Sequence, residues 1–202
     1  MRVSTLMCTS SKNHTKIRSA ADALYRVLVG AGVEVTFEVI AAAALLRKLV
    51  PALRVRIVNV TDLMILAPSG SHPHSLTDEA FETLFTKDKS VHFNYHGYPI
   101  ELKGLLWGRP NLDRISMEGY NEEGTTTSPF DMMLCNKTSR FDVAIAAIRG
   151  GARVNPKVAV EAHELAAYVR HLAQKEREYI LENGKGESQA LESMHFANRF
   201  SI

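Results

Sequence analysis

Two short runs rich in β-branched residues, "YRVLVGAG" (Tyr25–Gly32) and "LRVRIVNVTDL" (Leu53–Leu63), flank a segment with a different rhythm. Between them, "EVTFEVIAAAALLRKLV" places alanines and leucines at helical spacing until Pro51 stops it. The connection is far too long for a hairpin. It has the length of a crossover helix, which lays the second strand parallel to the first with a right-handed connection. This β-α-β unit constrains the chain more than any other feature of it.

The alternation continues downstream. "APSGSHPHSL" is a loop, and "TDEAFETLFTKD" follows as a short helix with Thr77 as its cap and acids in its first turn. "SVHFNYHGYP" (Ser90–Pro99) is expected as a third strand, "IELKGLLWG" as a short helix and "RISMEGY" as a fourth strand. "SPFDMMLCNKTSRFDVAIAAIRGG" reads as helix interrupted near Asn136, with Ser128 as cap and Pro129 at the first helical position. "KVAVEAHELAAYVRHLAQKEREYILENGKG" has the steadiest helical period in the chain, and Gly184 stands past its end. Strands alternating with helices predict one three-layer α/β/α domain over residues 25–184. Residues 185–202 form a weakly patterned tail. Residues 1–24, with Asp22 as their one acid, have a composition compatible with a transit peptide; we expect instead an atypical, unstructured start.

Charge and composition exclude several functions. A formal net charge of +2, with acids and bases interleaved as in Glu176-Arg177-Glu178, gives no footprint for nucleic acid. The longest apolar stretch, Val39 to Leu46, is far short of a membrane span. Cys8 and Cys135 have no metal-type spacing and read as free thiols in a reducing, cytoplasmic setting. No nucleophile elbow, P-loop or dinucleotide fingerprint is present, and no base stands near Cys135 in sequence, so no catalytic residue is assigned.

Three groups of residues invite a binding role. In "EEGTTTSPFD", Ser128, Pro129 and Asp131 are explained by a helix start, but Thr125, Thr126 and Thr127 beside Gly124 could hold an anion there. Glu122 and Glu123 oppose that, and a purely structural loop is the competing reading. "YHGYP" falls at the end of a strand, where open α/β sheets place ligands. His96, Arg109 and Arg114 could meet there around an acidic group; alternatively, His96 and Tyr98 only fasten a tight turn. His92 and His96 lie about 13 Å apart along a strand, too far to share a metal, so no metal site is expected, and the His72/His74 pair supplies no third ligand.

The segments "RVRIVNVTDLMIL", "SHPHSLTDEAFETLFTKDKSVHFNYHGYP", "LLWGRPNLDRISMEGYNEEGTTTSPFDMMLCNKTSRF" and "KEREYILENG" together resemble the C-terminal domain of phosphoketolases from about Val27 to Gly184. The resemblance implies a fold like the transketolase C-terminal domain, a mixed but mainly parallel sheet with helices on both faces. It implies a family reaction in which xylulose 5-phosphate or fructose 6-phosphate is cleaved with phosphate to acetyl phosphate and an aldose phosphate. Thiamine diphosphate and magnesium serve the full-length family, and their ligands come from two preceding domains. This sequence has no G-D-G motif for the cofactor diphosphate. The domain alone is therefore expected to bind no cofactor and to be non-catalytic, with other phosphoketolase domains or subunits as partners, in a homodimer in the full enzyme. An anion-binding regulatory module for a sugar phosphate or nucleotide is the alternative. Two departures stand out. Asp142 occupies a position where the family pattern suggests histidine, and the segments before Tyr25 and after Gly184 match poorly.

Overall fold

Strand β2 (Arg26–Ala31) is buried along its whole length and forms the centre of the structure. In this computed structural model, residues 3–8, 26–122 and 126–184 are described. Helix α1 (Val33–Leu49) leads from β2 to β3 (Val55–Val60), which pairs with β2 in parallel, Leu28 opposite Ile57. A 3-10 turn (Leu63–Leu66) and helix α2 (Asp78–Phe85) then carry the chain to β4 (Ser90–Tyr95) on the other side of β2. Helix α3 (Pro99–Leu106) leads to β5 (Ile115–Glu118), again parallel. With β1 (Val3–Cys8) on the outer side of β3, the sheet order is β1-β3-β2-β4-β5.

The chain leaves β2 in one direction with a helix on one face, and returns past it with helices on the opposite face. Keeping one hand of crossover requires that reversal of both direction and face. Leu28 and Ile57 pack with α1, with α5 (Arg140–Ala152) and with α6 (Pro156–Asn183) through Leu46, Ile148 and Val169. On the other face, Val27, Val29 and Phe93 pack with Phe81 and Phe85 of α2 and with Leu102 and Leu106 of α3. The expected three layers are present, and the sheet is mixed but mainly parallel.

The antiparallel strand is β1, Val3–Cys8, which pairs Val3 with Val60 and Cys8 with Val55 along the outer edge of β3. This departs from the expectation of an unstructured start through residue 24. Composition weighs a segment as if it stood alone, whereas an open edge offers ladder bonds to any extended run that reaches it. Residues 9–24 and the 185–202 tail lie outside the described residues.

The helix boundaries follow their local chemistry. Thr77 accepts a hydrogen bond from the Ala80 amide and Ser128 from that of Asp131, which starts α2 and α4 (Pro129–Cys135). Ser139 caps α5 in the same way, and Gly184 ends α6 in the left-handed conformation at φ 70°. No helix of the described residues is long and apolar enough to cross a membrane.

Candidate functional site

With β3 and β4 on opposite sides of β2, the connections leaving β2 and β4 diverge at their carboxyl ends. Such a divergence is where doubly wound sheets open a crevice. Gly32 and His96 meet there. Gly32 has φ 120°, and a Cβ on it would collide with the His96 side chain, so glycine is required on both counts. The His96 amide donates to Ala31 O at 2.9 Å, and its Nδ1 lies 2.8 Å from Glu34 Oε2. The Glu34 carboxyl is held below its usual range, first by a backbone hydrogen bond at its own position and then by His96. The amino end of α1 thus already faces a carboxylate, which disfavours an incoming anion.

Around this point several other polar groups also have internal partners, although Asn94 Oδ1 is buried without one among the described residues. Tyr98 donates to Glu122 at 2.7 Å and packs edge-on against Tyr120. The Tyr120 amide donates to Gly97 O, and Asn136 Oδ1 accepts from the Asn121 amide at 2.7 Å. Asn94, fully buried, donates through Nδ2 to Val35 O and Thr138 O and so ties the start of α1 to the approach to α5.

The expected cationic residues do not assemble here. Arg109 is enclosed, donating to the carbonyls of Ile65, Leu66, Ala67 and Leu76 and pairing with Asp78 at 2.7 Å. Its guanidinium also lies over the Phe81 ring. Arg114 donates to Phe85 O and Lys89 O, ahead of β4, whereas His96 follows that strand. A six-residue strand, about 20 Å long, separates them. Nearness in the chain alone suggests that the three side chains meet. The sheet instead assigns them to a core seam, a strand entrance and a strand exit.

The threonine loop divides as well. Thr125 lies outside the described residues with Glu123 and Gly124; Thr126 is exposed. Thr127 donates to Asp131 at 2.7 Å, and Asp131 also lies 3.0 Å from Arg177 of α6. The hydroxyl of Thr127 thus belongs to a helix start, the structural one of the two readings.

An acidic pair was missed in the sequence. Glu118 at the end of β5 and Asp142 in the first turn of α5 are both raised above the ordinary carboxyl range, chiefly by burial, and the charge of Asp142 adds to the shift of Glu118. Lys137, in the left-handed region at φ 59°, counters both. Ser139 donates to Asp142 at 2.6 Å. Nothing in sequence spacing joins Glu118 to Asp142, because the register of β4 with β5 makes the encounter. No cluster of three His, Cys, Asp or Glu side chains among the described residues could hold a metal ion.

Comparison with known proteins gives a consistent result. A family model described as the XFP C-terminal domain matches residues 9–194. That is wider than the stretch expected from motifs, and it includes segments before Tyr25 and after Gly184. A probable phosphoketolase of Schizosaccharomyces pombe is 47% identical over 175 residues, covering 87% of this chain and 21% of the relative. One from Rhodopseudomonas palustris (strain BisB5) is 45% identical over 158 residues, covering 78% of this chain and 20% of the relative. One from Chlorobaculum tepidum is 41% identical over 159 residues, covering 79% and 20% respectively. The chain thus spans about a fifth of the length of the relatives it matches.

Proposed function

Because this chain belongs to the XFP C-terminal domain family, the C-terminal domain of phosphoketolases, we propose that it serves such an enzyme as a scaffold and assembly element and is inactive alone. The single observation that supports this is the internal commitment of the carboxyl edge. His96 is held by Glu34 and Tyr98 by Glu122, while Arg109, away from that edge, is held by four carbonyls. Groups spent on holding loops together are poorly placed to bind and process a substrate.

The reaction of the whole enzyme would be cleavage of xylulose 5-phosphate or fructose 6-phosphate with phosphate, to acetyl phosphate and an aldose phosphate. Thiamine diphosphate and magnesium do not fit the described residues of this domain. A diphosphate-bound magnesium needs hard oxygen ligands converging on one point, and no three His, Cys, Asp or Glu side chains of the described residues come together. We therefore place the ligands of both groups in other domains and derive no step through them. On the same reading the partners are other phosphoketolase domains or subunits, in a homodimer, and the setting is the cytoplasm. The alternative of an anion-binding regulatory module at His96, Arg109 and the threonines is not favoured, since Arg109 and Arg114 are engaged elsewhere.

The test mixes the purified chain with the S. pombe probable phosphoketolase shortened by the portion this chain matches. Acetyl phosphate formation from xylulose 5-phosphate, with phosphate, magnesium and thiamine diphosphate supplied, is the readout. No turnover by the chain alone, and recovered turnover with co-elution in the mixture, is expected. Turnover by the chain alone overturns the inactivity, and failure to co-elute overturns the assembly role.

A further inference from the structure

At the opposite end of the sheet from His96, a buried cation lacks a counter-charge among the described residues. Arg26 opens β2 and points to the α5 face, where it is only 4% exposed. A Cβ on Gly150 of α5 would collide with its guanidinium, so that glycine makes the space it occupies. Nη2 donates to Ser116 Oγ at 3.1 Å, and Nε is buried without a partner among the described residues. Burial, and then the charge of Arg153, lower its pKa to about 10, which still leaves it charged at neutral pH; no carboxylate among the described residues offsets it.

A second unpaired group sits beside it. His92 of β4 is 2% exposed, its Nδ1 lies 3.0 Å from Ser116 Oγ, and its Nε2 is buried without a partner among the described residues. The serine has one proton and two acceptors to choose between, His92 Nδ1 and the more distant Val91 O at 3.3 Å. Donation along the shorter contact makes Nδ1 an acceptor and leaves the Nε2–H as an unused donor. Ser116, the residue that links the two buried side chains, is itself exposed on the outer strand β5.

Buried charges in folded proteins are paired, and buried donors are used. We propose that Arg26, His92 and Ser116, backed by Arg153, form a receptor for a small oxyanion, a phosphate or a carboxylate, entering at the β5 edge. The guanidinium supplies the charge and planar donors suited to either group. The carboxyl end of α5 offsets part of the charge of Arg26 but supplies no acid. The site is separate from the residues on which the scaffold role rests and stands or falls independently of that role.

The full chain, labelled with nitrogen-15, is titrated with inorganic phosphate and separately with acetate at constant ionic strength set by chloride. The Arg26 Nε–H resonance is followed, with Arg109 and Arg140 as internal references, and the melting temperature is recorded. Phosphate is expected to shift the Arg26 resonance saturably, leave the references in place and raise the melting temperature. A response to acetate alone assigns the site to a carboxylate, such as a partner's acidic side chain. Arg26→Met removes the response, and Gly150→Ala, which displaces the guanidinium, weakens binding by about tenfold or more. Should Arg26→Met fail to fold, the wild-type titration and Gly150→Ala decide. No saturable shift with either anion, or equal binding by Gly150→Ala, overturns the proposal.

Discussion

Arg109→Met is the substitution whose outcome follows most directly from the coordinates. The guanidinium holds together the 3-10 turn after β3, the approach to α2 and the end of α3, by donating to four backbone carbonyls. The carbonyl of Ile65 also accepts from the Leu76 amide at 3.1 Å, so it keeps a partner in the variant. Leu66, Ala67 and Leu76 lose the donor that Arg109 gives them. Leaving a buried acceptor unsatisfied costs about 1–3 kcal/mol, and the second lone pair of a carbonyl argues for the lower end. Methionine refills much of the aliphatic volume against Phe81. The net expectation is a loss of about 3–5 kcal/mol. The ion pair itself contributes little, because Asp78 is 59% exposed. Asp78→Asn should therefore cost under about 1 kcal/mol. Urea denaturation by circular dichroism, with the slopes compared to confirm that the unfolded states match, measures both variants. A loss below about 1 kcal/mol for Arg109→Met, or equal losses for the two variants, would refute the assignment of Arg109 to backbone satisfaction.

Other outcomes follow from the buried titratable groups. The pKa of His92 is pushed from 6.5 down to about 3 by burial and by Arg26, so the folded state favours the neutral ring. Stability is then present above the unfolded pKa and lost as pH falls; lowering pH from about 8 to about 5 should cost about 2 kcal/mol through this group, absent in His92→Gln, by urea titration at each pH. Asp142 has the opposite sign: its raised carboxyl pKa means the folded state holds the proton more tightly, so its contribution falls as pH rises through the carboxyl range. Asp142→Asn should flatten that fall and gain relative to wild type at neutral pH, whereas a relative loss greatest at neutral pH would show that the ionised carboxylate is stabilising there. Glu38 receives the Arg140 amide at 2.7 Å and its guanidinium at 2.7 and 2.9 Å, clamping α1 to α5. Glu38→Ala removes the carboxylate from this clamp and should cost about 1–3 kcal/mol, readable as a lower melting temperature.

Much of the architecture was legible before any coordinates. The runs at Tyr25–Gly32 and Leu53–Leu63, with one helical segment between them, required parallel strands joined by a crossover, and the helix starts at Thr77 and Ser128 lie where their hydroxyls cap free amides. These features are local: period, cap and turn chemistry act over a few residues, and sequence displays them directly. The site was not legible in the same way. His96, Arg109 and Arg114 lie within 19 positions of one another, yet one closes a turn, one is sealed among carbonyls and one sits at the far end of a strand. The Glu118 and Asp142 encounter and the Arg26, His92 and Ser116 chain depend on the order β2-β4-β5 and its register, which pairs His92 with Ser116 and Leu28 with His92. Between Tyr25 and Gly184 the sequence by itself determined which segments become strands and helices, and it determined which family the chain resembles; β1 took its place only from the open edge of β3. The tertiary structure alone decided which charges end up together, because burial and pairing depend on strand order and on the face each side chain takes, which chain distance does not encode.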